Sequence, residues 1–398
     1  MIRQKYDFFQ KRQRKRGKYL AFLSFLRNFG TSIISMQKQM WMMLLFALPF
    51  LAISYIGWHV WCLLPLSGIW KTLIIVCMVG CFLLTFANFS RSTDSMPMPV
   101  ATFCYEVANS SLIILLYLFI LFLLLDLGRL VRLIPRTLLY NNWTTAIGIF
   151  VLMTVLFTYG YFHYMHKYRE EIQLTTQKPL TKPLKLVMMS DLHLGYHNRR
   201  EELHRWVDMI NEEHADVILI AGDIIDMSIR PIKEERMFEE FRRLNAPVFA
   251  CIGNHEFYSG ESDAQLFYKQ AGIHLLQDSC AIVGDLCIIG RDDRTNRHRK
   301  TLADLMKQAD RSKFTILLDH QPYFLEQTER QNIDFQFSGH THHGQVWPIS
   351  WITENVYECA HGPLQKGNTH YYITSGIGIW GGKFRIGTRS EYVVAKIK

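Results

Sequence analysis

Apolar positions along this chain follow two different rhythms. Before residue 166 they form long unbroken stretches, whereas beyond residue 183 they form short runs bounded by polar, Gly and Pro punctuation. Residues 41–61, 72–89, 107–125 and 143–162 contain no Asp, Glu, Lys or Arg. Each is close to the roughly 20 helical residues that cross about 30 Å of hydrocarbon. The pattern therefore predicts four transmembrane helices within residues 41–165. Trp41, Trp58, Trp61, Trp70 and Trp143 stand near the expected ends, where amphipathic rings settle at headgroup level. Residues 166–183 are polar, carry Pro179 and Pro183, and read as a linker.

The second rhythm predicts strands at 184–189, 217–220, 248–252, 314–318 and 335–337, short runs rich in β-branched and other apolar residues. Residues 201–214 and 234–244 repeat apolar positions at helical spacing. Strands alternating with helices predict an α/β domain over residues 184–398, with its ligands beyond the carboxyl ends of the strands. At those ends the chain places metal-competent side chains: Asp191 and His193, Asp223, Asn254 and His255, His320, and His340 and His342.

These residue types suit a pair of divalent cations. Two such ions a few ångströms apart need a bridging carboxylate to screen their repulsion, with imidazole and oxygen donors holding each while leaving room for water. Asp223 suits the bridge. One metal is assigned to Asp191, His193, Asp223 and His342, the other to Asp223, Asn254, His320 and His340. Water activated there would attack phosphorus, with His255 holding phosphoryl oxygens as charge develops.

Composition sharpens the division. A chain of 398 residues exceeds one small core. The mean hydropathy of +0.03 averages two unlike materials. Much of the net charge of +9 comes from an N-terminal arm, residues 1–40, with ten Lys and Arg before residue 40 and apolar residues at amphipathic spacing over 19–35. Beside a membrane segment such an arm sets orientation or touches anionic headgroups. The α/β half has no dense basic stripe or aromatic platform, so nucleic acid is not an expected partner. Eight Cys without C-x-x-C spacing read as ordinary reduced residues. With the basic arm inside, four crossings return the C-terminus to the cytoplasm. Against this, Arg129, Arg132 and Arg136 would then lie in an outer loop, and three spans would put the domain outside.

Other polar residues receive blander expectations. Asp226 and Glu256 fall outside the ligand set, divided between supporting the ligands and capping a helix or solvating a loop. Arg291, Arg294, Arg297, Arg299 and Lys300, interrupted by Asp292 and Asp293, read as a solvated hairpin tip. His343 and His361 read as exposed loop residues.

The ordered set D-x-H (Asp191, His193), G-D-x-x-D (222–226), G-N-H-E (253–256), His320 and G-H-T-H (339–342) resembles the calcineurin-like metallophosphoesterase superfamily. The resemblance spans residues 184–398. It implies a two-layer β-sandwich flanked by helices after the multi-span helical region, and two divalent ions, manganese first, with iron or zinc as alternatives. It implies hydrolysis of phosphomonoesters, diesters or pyrophosphates, with His255 acting in the transition state. Purple acid phosphatases place Tyr three residues after the bridging Asp, and Asp226 stands there instead, which argues against a tyrosinate-bound ferric site. The tail 375–387 resembles membrane-attached members related to UDP-2,3-diacylglucosamine pyrophosphatases of lipid A synthesis. That implies a phosphorylated, lipid-linked substrate and a multi-pass protein of the cell inner membrane with a cytoplasmic catalytic domain. The rivals are a cyclic-nucleotide or nucleic-acid phosphodiesterase and a non-catalytic metal-binding membrane scaffold. The sequence does not speak to oligomeric state.

Overall fold

The computed structural model describes residues 47–398. The expected basic arm and the start of the first expected span lie outside the described residues. Four apolar helices come first: α1 (Ala47–Leu63), α2 (Gly68–Phe89), α3 (Met98–Leu130) and α4 (Trp143–Met165). Among the described residues, α2, α3 and α4 are each long and apolar enough to cross a membrane, and α1 is shorter. The expected stretches 72–89, 107–125 and 143–162 lie within α2, α3 and α4, whereas the first expected span, 41–61, is described only from residue 47, as the shorter α1.

The described chain divides into two compact units. One comprises α1, the turn after it and residues 118–142. Within it Asp126 closes the apolar run of α3 and takes a hydrogen bond from the Tyr55 hydroxyl at 2.8 Å. His59 Nε2 pairs with the same carboxylate at 3.0 Å. An acidic group on an apolar helix needs such partners.

The other unit comprises residues 72–117 and 143–398. Its α/β part has twelve strands, β1–β12 in chain order. The first sheet runs β1 (Lys167–Leu174), β12 (Ser390–Ile397), β2 (Leu184–Met189), β3 (Val217–Ala221), β4 (Val248–Cys251), β5 (His274–Leu275). The second runs β10 (Gly362–Lys366), β11 (Thr369–Ile373), β9 (Phe335–Ser338), β8 (Phe314–Leu318), β7 (Leu286–Gly290), β6 (Ser279–Val283). β2 to β5 are parallel, as are β7, β8, β9 and β11.

Strand alternation explains the layers. Along β2, Leu186 and Met188 pack between the sheets with Leu219, Phe249, Ile316, Leu318, Phe335 and Phe337. Val187 and Met189 face the other way, onto Leu203, Trp206, Val207 and Ile210. Those four recur at helical spacing on Arg200–Glu212, so one stripe of that helix is buried. Leu302, Leu305 and Met306 cover Cys287, Ile289 and Leu317 on the outer face of the second sheet. The result is the β-sandwich flanked by helices that the motifs implied. At about 1.5–3 kcal/mol per fully buried apolar side chain, this frame can support strained loops at its strand ends.

Residues 166–183, expected as a linker, contain β1. It pairs in parallel with β12 from Lys167 against Ser390 to Leu174 against Ile397. Ile172 and Leu174 reach the inter-sheet core, while Arg169, Glu171 and Gln173 face solvent. Outward charge is usual on an edge strand, and it is what made this segment look unstructured.

Candidate metal centre

The site lies at one edge of the sandwich, where β2, β3 and β4 of one sheet and β8 and β9 of the other deliver their following residues. Five of these are in the left-handed backbone region: Asp191 (φ 56°), His193 (φ 44°), Asp223 (φ 51°), His340 (φ 70°) and His342 (φ 48°). Such residues cost about 1–3 kcal/mol each and cluster at functional sites held by their surroundings. Gly222 (φ 78°) lets the Asp223 loop approach its neighbour, since a Cβ there would lie 2.7 Å from the Gly253 nitrogen.

Hydrogen bonds aim the side chains inward. His320 Nδ1 donates to the Ala221 carbonyl at 2.7 Å, leaving Nε2 to face Asp223 Oδ2 at 3.1 Å. His193 Nδ1 lies 3.3 Å from Asp226 Oδ1, so its Nε2 turns inward, 2.9 Å from His342 Nε2 and 3.7 Å from Asp223 Oδ2. His342 Nε2 is 3.3 Å from Asp191 Oδ1. Asp191 accepts the His340 backbone N–H at 3.1 Å, and Asp223 Oδ1 accepts that of His255 at 2.9 Å.

Three donor groups result among the described residues, one of them His193, Asp226 and His255. Asp191, His193 and His342 offer atoms within 4.8 Å of one another, as do Asp223, His320 and His340. Asn254 is buried, and its Oδ1 lacks a hydrogen-bond partner. All seven expected ligands thus lie at one edge. Their chemistry fits cations: donors at roughly 2.0–2.3 Å from one ion are about 3 Å apart, close to the 2.9 Å between the His193 and His342 Nε2 atoms.

Electrostatics divide the donors: burial works against protonation of His193 and His320, yet Asp191 and Asp226 around the first raise it to about 10, and Asp223 beside the second raises it well above its ordinary value. Burial opposes ionisation of Asp223 and Asp226, yet His320 and His255 around the first, and a hydrogen bond from His193 with His255 close by around the second, hold both well below the usual carboxylate range. Burial, then His320 beside it, lowers His340 to about 4. Burial also lowers His342 well below its ordinary value. Both rings are therefore neutral at pH 7, with a lone pair to donate.

Asp226 is where sequence reasoning fell short. It is 1% exposed, so the loop-solvation reading does not hold. Besides His193, it faces His255 Nδ1 at 3.1 Å and His197 Nδ1 at 3.9 Å, and it accepts a hydrogen bond from the Tyr105 hydroxyl of α3. The D-x-x-D spacing marked this residue, but nothing local marked its partners. Glu256 accepts the N–H groups of Gly253 (2.8 Å), Asp223 (3.1 Å) and Ile225 (3.0 Å). It both caps its helix and braces the Asp223 loop.

The basic loop is only partly a solvated tip. Arg297 and Lys300 are exposed, but Arg291 is buried 3.1 Å from Asp319 Oδ2 and Arg299 lies 3.4 Å from Asp319 Oδ1. The two guanidinium groups clamp the residue before His320. Arg294 stacks on Tyr323, 4.2 Å from the ring centre. His343, expected to be exposed, is half-buried, 2.9 Å from Glu354 and stacked on the half-buried His361.

Comparison with known proteins agrees with this geometry. The sequence profile of the calcineurin-like phosphoesterase family matches residues 184–344. A Helicobacter pylori metallophosphoesterase is 31% identical over 224 residues, 55% of this chain and 60% of that protein. The Bacillus subtilis metallophosphoesterase YkuE is 30% identical over 261 residues, 60% of this chain and 90% of YkuE. A Danio rerio protein named as a transmembrane protein with metallophosphoesterase domain is 27% identical over 325 residues, 75% of this chain and 74% of its own length. The chain thus spans about 60% of the Helicobacter relative but most of YkuE.

Proposed function

This chain belongs to the calcineurin-like phosphoesterase family, and on that premise we propose that it is a membrane-anchored, dinuclear-metal phosphoesterase acting on a phosphoester or pyrophosphate bond of a lipid-linked substrate. UDP-2,3-diacylglucosamine is one such compound. The observation that carries the reading is the convergence of two of the three donor groups with Asp223 in contact with both: its Oδ2 is 3.7 Å from His193 and 3.1 Å from His320.

In this reading Asp191, His193, Asp223 and His342 hold one divalent ion, and Asp223, Asn254, His320 and His340 hold the other. Manganese is the first choice, with iron and zinc behind it. Bound there, such ions would supply a nucleophile at neutral pH by lowering the pKa of water from 15.7 toward about 7. The protein does the rest. Asp223 screens the two positive charges from one another. His255, held by Asp226, donates to a phosphoryl oxygen as negative charge grows on it. Asp226 and the Ala221 carbonyl fix the rings of His193 and His320 so that each presents Nε2.

The apolar helices support a multi-pass protein of the inner membrane, and the basic N-terminal arm supports a cytoplasmic catalytic domain. Protease accessibility in sealed vesicles distinguishes the two sides. A non-catalytic scaffold could dispense with some donors, and this chain retains every one.

The central test is Asp223→Asn in the purified full chain. Removing an outer partner of a metal ligand costs about 10–100-fold, so loss of a shared ligand is expected to reduce manganese-dependent hydrolysis of bis(4-nitrophenyl) phosphate by more than about a hundredfold, with the circular dichroism spectrum retained. Undiminished hydrolysis by the variant would contradict the assignment. A screen against lipid phosphates, UDP-2,3-diacylglucosamine and simple diesters then identifies the substrate.

A further inference from the structure

Next to the donor groups is a cavity of about 250 Å³ that the hydrolytic reading leaves unused. Leu112 and Ile113 of α3 line it together with Val346, Ile349 and Trp380, and His342 is among the lining residues. The helix comes this close because of Gly382. A Cβ there would stand 3.0 Å from the Asn109 carbonyl oxygen and 3.0 Å from Ile113 Cδ1, so any larger residue would push the wall away.

Two observations identify the kind of molecule that fits. Along α3 the polar residues Asn109, Ser110 and Ser111 give way at Leu112 to an uncharged apolar run through residue 125. The cavity therefore sits where a spanning helix would pass from headgroups into hydrocarbon. The helix Ile349–Val356, which supplies Ile349, turns Trp351, Ile352 and Val356 outward at 58%, 61% and 58% exposure. Such a group of large apolar side chains suits contact with a bilayer and is a poor face to offer water. The cavity thus adjoins apolar surface and has the donor His342 in its lining.

We propose that this cavity is an alkyl-chain subsite: the tail of a bilayer-seated phosphoester lodges between Leu112, Ile113 and Val346 while its phosphate reaches the donor groups at His342. The inference rests on the phosphoesterase reading and extends it to how the substrate is selected. A soluble sugar or nucleotide phosphate would leave the walls unfilled, and a partner helix is too wide for the space.

Two arms test it, both on the full chain in micelles of CHAPS, a steroidal detergent with no long alkyl chain to compete. The first compares methyl and dodecyl 4-nitrophenyl phosphate with manganese, two diesters that release the same phenol. The dodecyl ester is expected to exceed the methyl ester in kcat/KM by at least about tenfold. Leu112→Trp, which fills the cavity, should bring the ratio toward one; both proteins see the same micelle, so partitioning cancels. A ratio unmoved by the substitution overturns the subsite. The second arm needs no turnover and no variant. A dodecyl phosphate carrying a terminal diazirine should label residues 109–113 or 346–353, and excess dodecyl phosphate, but not methyl phosphate, should prevent it. Labelling elsewhere, or labelling that dodecyl phosphate does not prevent, overturns the subsite. If neither diester is hydrolysed, the phosphoesterase reading falls, and the labelling result still decides whether the cavity takes a chain.

Discussion

Asp226 shows how much one side chain can organise. It carries no ligand atom in the proposed metal set, yet His193, His255 and the Tyr105 hydroxyl all turn to it. Tyr105 lies 121 residues earlier in the chain, on α3, and stacks with His197, ring centres 5.1 Å apart. A residue of an apolar helix thereby reaches the carboxylate that contacts two histidines of the candidate site. Tyr105→Phe keeps the ring and removes only the buried donor, so it is expected to cost about 1–2 kcal/mol of stability. It should also reduce kcat roughly tenfold with little change in KM, because Asp226 would hold His255 less firmly. Thermal melts and steady-state kinetics in detergent check both. An unchanged kcat would mean that Tyr105 serves only the packing of α3.

At the scale of elements, β1 depends on contacts that its own sequence does not advertise. Its Arg169 Nε lies 2.7 Å from Glu213 Oε1, just beyond the helix Arg200–Glu212. The same carboxylate meets Lys185 of β2 at 2.8 Å and the Tyr392 hydroxyl of β12 at 3.0 Å. Glu213 therefore clips three strands together. Burial opposes its ionisation, but the hydrogen bonds from Arg169, Lys185 and Tyr392 outweigh that and lower its pKa from 4.5 to about 2. The folded chain thus holds fewer protons on this group than the unfolded chain. Its contribution is complete above pH 4.5 and is lost as pH falls toward 2. Because Arg169 is partly exposed and screened by solvent, that contribution is about 1–2 kcal/mol. Glu213→Gln should lower the melting temperature at pH 7 and flatten its fall between pH 4.5 and 2. Parallel curves for the two proteins would contradict this.

On the scale of the whole molecule, the donor groups join loops from both sheets, since Asp191, His193, Asp223 and Asn254 follow β2 to β4 whereas His320, His340 and His342 follow β8 and β9. Ions bound as proposed would cross-link the two layers. Anything that binds only the folded state stabilises it, by about 2.7 kcal/mol at a hundredfold excess over Kd. At about 2–4 °C per kcal/mol for a domain of this size, chelation should lower the melting temperature by roughly 5–10 °C. Added manganese should restore it in the wild type and not in Asp223→Asn. A melting temperature indifferent to chelator would count against bound ions in the purified protein.

What this sequence determined by itself was local. Uncharged stretches of membrane-spanning length, short apolar runs at β2 to β4, and donors at strand ends can each be read within a few tens of residues, because backbone periodicity and strand-end loops are properties of neighbouring residues. Those signals sufficed for the apolar helices, the layered α/β architecture and the side chains that meet at one edge. The tertiary structure alone decided that polar β1 would close a sheet, that Arg291 and Arg299 would clamp Asp319 instead of meeting water, that Tyr105 would reach Asp226, and that α3 would wall a cavity beside His342. In each case the deciding partner lies far away in the chain, and only the packing of the sandwich brings it close enough to repay the desolvation of a charge or a hydroxyl.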